Sequence, residues 1–184
     1  MTKILATERL TLRELTTADA AFINKLLNSP KFLKYIGDRK VRSDEDAREF
    51  IENRYMASYR DHGYGLWVVE TDNVPVGMCG FVKRDYFDEP DLGFAFLPEH
   101  ERKGYGYESA VGSMKYGRET LGFTKVLAIT SLDNDASVGL LGKLGFNDHG
   151  IIEPQGEKLR LFSYTYSPPN NALTAASSCE SWPV

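Results

Sequence analysis

The chain is poor in the residues that build metal sites and disulfide frameworks. Its 184 residues include two cysteines and three histidines. Cys79 lies in an apolar run and Cys179 in a polar stretch, so they form neither a metal-type pair nor a disulfide framework. A reducing, cytoplasmic setting is expected, with no metal. His62 and His149 sit beside glycines in loop-like stretches and need no function. An excess of positive charge is also missing. The formal net charge is −4, which argues against a nucleic-acid partner, because such modules are basic. No apolar run approaches the roughly 20 residues of a membrane helix. The opening "MTKILATERL" lacks the apolar stretch of a signal peptide. Internal repeats are absent. What is present, 42% hydrophobic and 26% charged residues, suits one domain with a real core.

Strand and helix signals alternate along the chain. "RLTLREL" (Arg9–Leu15) alternates apolar and polar positions, as a half-buried strand does. A helix follows, capped by Thr16 or Thr17 and closed by Pro30. Ser43 and the acids behind it open a second helix that runs to Arg60. "YGLWVVET", "DNVP" and "VGMCGFVKR" read as strand, turn and strand, a hairpin. Further strands are expected at Pro90–Pro98, Lys125–Ser131 and Lys158–Tyr166, with helices at Tyr107–Gly122 and from Asn134 to Gly145. From Ser167 the text turns to "SPPNNALTAASSCESWPV", without lysine or arginine, and predicts a disordered or weakly docked tail. Interleaved helices and strands imply an α/β sheet covered on both faces.

One stretch carries chemistry. "PEHERKGYGYESA" (Pro98–Ala110) places Gly104 and Gly106 behind Arg102 and Lys103, at a strand-to-helix junction. The first four N–H groups of a helix lack internal partners and carry partial positive charge. Together they make an anion site. Glycine keeps a Cβ out of the way of a bulky anion. The stretch reads as a phosphate or pyrophosphate cradle, or simply as a tight turn. It lacks the third glycine of the dinucleotide fingerprint, with Ser109 at that place. "GLLGK" is too short for a P-loop.

The second constellation is "NDASVGLLGKLGF" (Asn134–Phe146). With it, the sequence resembles the GNAT superfamily of acetyl-CoA-dependent N-acetyltransferases. That superfamily's pyrophosphate loop reads Q/R-x-x-G-x-G/A, and a later motif is similar to NxxSxxLxxKxGF. The first corresponds to Glu101, Arg102, Lys103, Gly104, Tyr105 and Gly106. The second corresponds to Asn134, Ser137, Leu140, Lys143, Gly145 and Phe146. More closely, "TERLTLREL", "DLGFAFLP" and "KGYGYESA" resemble the branch that acetylates the N-termini of ribosomal proteins. Two departures stand out. Glu101 replaces the usual Gln or Arg, so its side chain should point away from the phosphates. Gly142 stands where many members carry a tyrosine that protonates the leaving thiolate.

The resemblance implies a single domain over residues 7–166 and a tail over 167–184. It implies a mixed, splayed sheet of about six or seven strands flanked by about four helices. It also implies acetyl-CoA as co-substrate and direct transfer to a primary amine, either a protein N-terminus or a small molecule. The backbone of Phe96 and Leu97 would hold the pantetheine arm. The amides of Arg102, Lys103, Gly104, Tyr105, Gly106 and Tyr107 would hold the pyrophosphate. Asn134 and Ser137 would lie near the sulfur, with Ser137 as the donor to the leaving thiolate. On their residue types alone, Asn134 is equally a helix cap and Ser137 a solvated hydroxyl. For the base, Asp91, Glu99, Glu101, Glu108 and His100 are candidates, with Asp91 first. Acids in "RDYFDEP" (Arg84–Pro90) would favour a cationic amine, or form a solvated hairpin tip. A non-catalytic acyl-CoA sensor is the rival reading, supported by Gly142. A homodimer is permitted but not required.

Overall fold

A computed structural model describes residues 2–168. Of the expected tail, all but Ser167 and Pro168 lies outside the described residues. Eight strands form one sheet: β1 (Lys3–Ala6), β2 (Thr11–Arg13), β3 (Leu66–Thr71), β4 (Val74–Val82), β5 (Asp91–Phe96), β6 (Lys125–Ser131), β7 (Asn147–Ile152) and β8 (Leu159–Thr165). Their order is β1-β2-β3-β4-β5-β6-β8-β7. Two strands exceed expectation. β1 precedes the expected domain start. β7 reads "NDHGII", an edge strand largely open to water, so burial imposed no apolar alternation on it.

Turn chemistry sets the hairpins. Asp72 and Asn73 join β3 to β4 with φ of 51° and 61°, the left-handed pair that matches strand twist in a two-residue turn. The helices are α1 (Ala20–Leu27), α2 (Pro30–Tyr35), α3 (Asp44–Phe50), α4 (Ala57–His62), α5 (Tyr105–Glu119) and α6 (Asp135–Lys143). A π-helical segment, Ile51–Met56, joins α3 to α4. Pro30 does not simply end a helix. It starts α2 at a first-turn position, where its missing N–H costs nothing. Ser43 caps α3 in a reciprocal box with Asp46.

The sheet carries a separate core on each face. Trp67, Val69, Phe81 and Leu92 face α5 and α6 through Ala110, Met114 and Leu141. Val68, Met78 and Leu97 face α1 and α3 through Ile23, Leu26 and Ala47. Strand alternation explains the split, since neighbouring residues point to opposite faces. Phe81 anchors the first core, edge-on to Tyr64, Trp67 and Phe123. Gly117 lets α5 lie against it, because a Cβ there would meet Phe81 Cζ at 2.8 Å. A buried ion cluster ties β2 to the helical side. Arg13 donates to Asp19 Oδ1 at 2.7 Å and to Glu70 Oε1 at 2.9 Å.

Between β5 and β6 the sheet splays. These strands are parallel, and Asp91 opposite Leu127 is their single paired position. The Leu127 N–H donates to the Pro90 carbonyl at 2.9 Å. Beyond that point β5 continues along β4 alone, from Leu92 opposite Phe81 to Phe96 opposite Gly77. The open wedge lies at the C-terminal ends of both strands.

Candidate active site

The α5 N-terminus stands at the mouth of the wedge. Gly104 caps it with φ of 84°, a left-handed conformation that glycine adopts without strain. Arg102 reaches a similar φ of 57°. The Gly104 carbonyl is taken by the Glu108 N–H at 3.1 Å. Among the described residues, no backbone N–H from Arg102 to Tyr107 has a protein acceptor. Six consecutive donors therefore remain uncommitted at the positive end of a 15-residue helix. The side chains of Arg102 and Lys103 are exposed and form no ion pair among the described residues. Gly106 faces the wedge. A Cβ there would lie 3.4 Å from Leu140 Cδ2 and 3.6 Å from Phe96 Cε2, so α5, β5 and α6 converge beside it.

Phe96 and Leu97 play different parts. In the antiparallel β4–β5 ladder, backbone groups alternate in direction. The Leu97 N–H donates to the Val76 carbonyl at 3.0 Å, and the Leu97 carbonyl accepts from the His100 N–H at 2.9 Å. Its side chain is buried in the α1–α3 core. The expectation that Leu97 offers backbone groups to a ligand is therefore corrected. Phe94 and Phe96 have the opposite parity, so their N–H and carbonyl groups face the wedge.

Most acids near the loop are already engaged. Glu101 pairs with Lys31 of α2, which turns it from the free amides as expected. Glu99 pairs with Lys25 of α1, whose ammonium holds the carboxyl below its ordinary value. Glu108 accepts from the Thr7 hydroxyl, the Arg9 N–H at 2.8 Å and Arg9 Nε at 2.7 Å. Burial opposes its ionisation, but these bonds prevail and hold the carboxyl low. Three of the candidate bases are thus structural pins. In the hairpin tip, Glu89 pairs with Lys125 at 3.2 Å, and Asp85 and Asp88 are exposed.

Asp91 differs. It is buried, it shares the parity of Ala95 and Leu97, and it therefore faces the α1–α4 side of the sheet. Arg84 Nε donates to its Oδ2. Its Oδ1 is buried without a hydrogen-bond partner among the described residues. Burial pushes this carboxyl up to about 6, against the pull of Arg84 and a weaker pull from the Ile129 N–H. A carboxyl poised near neutrality beside the wedge suits proton transfer.

On α6, Asn134 is the cap. Its Oδ1 accepts from the Ser137 N–H at 3.2 Å. The Ser137 hydroxyl is half-buried and has no protein partner among the described residues. Gly142 is exposed, with nothing within 4 Å of a Cβ. At 3.6 residues per turn it lies about 200° round α6 from Leu140, which faces Gly106. Its lack of a side chain therefore removes no group from the wedge.

Helix α2 crosses both rims. Lys31 reaches Glu101, after β5, while Lys34 reaches Asp133, after β6, at 2.9 Å. The Ser131 hydroxyl, at the end of β6, donates to the Tyr35 carbonyl at 3.0 Å. Sequence reading missed this bridge and the Arg9 strap. Both partners in each pair look like ordinary surface charges, and nothing local links residues separated by 70 or 99 positions.

A splayed sheet with free amides at a strand-to-helix turn is the architecture that the resemblance to the GNAT superfamily implies. The acetyltransferase (GNAT) domain family matches residues 9–147. The uncharacterized N-acetyltransferase YoaA of Bacillus subtilis (strain 168) is 30% identical over 155 residues, 83% of this chain and 87% of that protein. The spermidine N(1)-acetyltransferase of Escherichia coli (strain K12) is 25% identical over 144 residues, 77% of this chain and 74% of that one. Among solved structures, an acetyltransferase from Agrobacterium tumefaciens str. C58 superposes with a TM-score of 0.76 at 23% identity, covering 90% of this chain and 95% of that one. A ribosomal L7/L12 alpha-N-protein acetyltransferase in complex with coenzyme A gives 0.68 at 15% identity, covering 89% and 97%. The two structures attest the fold. The chain belongs to the acetyltransferase (GNAT) family and is an acyltransferase. Among the described residues no cluster of His, Cys, Asp and Glu could hold a metal, and no helix is long and apolar enough to cross a membrane.

Proposed function

We propose that the chain transfers an acetyl group from acetyl-CoA directly to a primary amine. The carrying observation is the run of uncommitted N–H groups from Arg102 to Tyr107 at the mouth of the wedge. A diphosphate there is met by backbone donors and by the charges of Arg102 and Lys103. The pantetheine arm runs along the open edge of β5 and bonds Phe96 as an added strand does. Its thioester then reaches the wedge between β5 and β6, close to Ser137.

The amine nitrogen attacks the thioester carbonyl carbon, and the carbon–sulfur bond breaks. Asp91 takes the proton that the amine loses. Its Oδ1 has no hydrogen-bond partner among the described residues and is the atom that accepts this proton. Ser137 donates a hydrogen bond to the leaving sulfur. Holding both reactants in one geometry supplies much of the rate. The acceptor enters beneath α2, on the side of α1 and α3. A small polyamine and a protein N-terminus, the acceptors named for two of the relatives, both present the amine this chemistry needs. The sensor reading is less favoured, because Gly142 is an open position about 200° round α6 from Leu140.

The test is purified protein mixed with acetyl-CoA and a panel of polyamines and N-terminal peptides, with free thiol followed over time. Amine-dependent thiol release is expected. Tight acetyl-CoA binding with no release for any amine would favour the sensor.

A further inference from the structure

We propose that Arg9, on the connection between β1 and β2, is a coenzyme-binding residue that donates to the diphosphate from the side opposite α6. This rests on the acetyl-CoA reading above. The guanidinium is fixed over the α5 N-terminus from three directions. Nε donates to Glu108 Oε2 at 2.7 Å, and Nη1 donates to the Lys103 carbonyl at 3.0 Å. The Tyr105 ring lies beneath it, 5.1 Å from Cζ to the ring centroid. A guanidinium has five N–H donors. Two are used here, and Nη2 donates to nothing among the described residues. That nitrogen lies 3.0 Å from where a Cβ on Gly104 would sit. It therefore borders the space that Gly104 keeps clear, beside the six free backbone donors.

The charge arithmetic supports a directional role. Glu108 neutralises Arg9, so the pair adds little net attraction for an anion. What it adds is a planar donor held in one orientation, suited to two oxygens of a phosphate. Glu108 in turn is locked by Thr7 and by the Arg9 N–H, so the connection and the helix form one rigid frame. Lysine could supply the charge but not the fork. A merely structural Arg9 would need only its bonds to Glu108 and Lys103.

A double-mutant cycle separates the two roles. Acetyl-CoA affinity is measured by calorimetry for wild type, Arg9→Ala, Glu108→Ala and the double variant. Turnover of S-acetyl-pantetheine, which lacks the diphosphate, is measured alongside. Loss of charge-assisted bonds to phosphate should weaken acetyl-CoA by about 10- to 100-fold in Arg9→Ala, and by a smaller factor of about 3- to 10-fold when Glu108 is already alanine and no longer orients the guanidinium. Pantetheine-donor turnover should stay within about twofold of wild type, and Arg9→Lys should recover only part of the affinity. Unchanged affinity in Arg9→Ala, a loss that vanishes in the Glu108→Ala background, or an equal loss with the pantetheine donor overturns the proposal. If Arg9→Ala does not fold, Arg9→Gln is read by the same criteria. Wild type that fails to bind acetyl-CoA sinks the acetyltransferase reading itself, a result distinct from a silent Arg9.

Discussion

Gly106→Ala should separate folding from coenzyme capture. Gly106 lies in the first turn of α5, and its φ is not left-handed, so alanine enters without backbone strain. The new methyl would sit 3.4 Å from Leu140 Cδ2 and 3.6 Å from Phe96 Cε2, which is ordinary contact. In a helix, alanine is favoured over glycine by about 0.5–1 kcal/mol. The melting temperature should hold or rise by about 2–4 °C. Binding should move the other way. On the proposed path of the coenzyme the methyl stands between the α5 amides and the β5 edge, and it would displace the ligand from at least one charged hydrogen bond. Such a bond contributes about 1.5–3 kcal/mol, so the Kd for acetyl-CoA should rise roughly 10- to 150-fold. Calorimetric titration and thermal unfolding of the same sample read both effects. Wild-type affinity in a well-folded Gly106→Ala would refute the reasoning, because the ligand would then lie elsewhere.

Other substitutions test separate parts of the scheme. Gly104→Asp places a carboxylate and a strained φ at the amide row, and acetyl-CoA binding by titration should fall further than in Gly106→Ala. If Asp91 is the base, it works when ionised, so the rate at saturating acetyl-CoA should climb through pH about 6 and level above it. Asp91→Asn should lose that rising limb in a pH–rate profile, and retention of the limb would assign it to another group. Arg13→Ala leaves the buried Asp19 and the half-buried Glu70 without their partner, and urea unfolding should show a loss of about 3–5 kcal/mol. Burial alone would raise the Asp19 carboxyl, but Arg13 holds it below its ordinary value. The stability it confers is present above the unfolded value near 4 and fades as pH falls through the lower folded value. Acid titration of Asp19→Asn should show a shallower loss.

The elements that sequence revealed were those with strong local physics. β6 was bounded correctly by its β-branched run, and the start of α3 by its Ser43 cap, while the single helix expected to Arg60 is broken by the π-helical segment Ile51–Met56. The free amides at Gly104 followed from glycines at a strand-to-helix junction. The missing elements lacked such signals. β1 and β7 are edge strands with one solvated face, and α2 is six residues begun by a proline that reads as a stop. Leu97 was misassigned because its neighbour Phe96 differs from it only by strand parity, which requires the β4 register to resolve. Asp91 follows from the resemblance, whose ribosomal branch carries an acid at the start of the central strand, but its burial and its Arg84 partner depend on the folded sheet.

The two cores on opposite faces of one sheet make the molecule modular in a mutational sense. Val68 and Val69 are adjacent in the chain yet pack into different interiors. Changes beneath α1 and α3 alter that face while the α5 and α6 side keeps its packing. Small defects on the two faces should then combine additively, since they share few contacts. Such a scaffold can be altered on one face over evolutionary time while the opposite face keeps its shape.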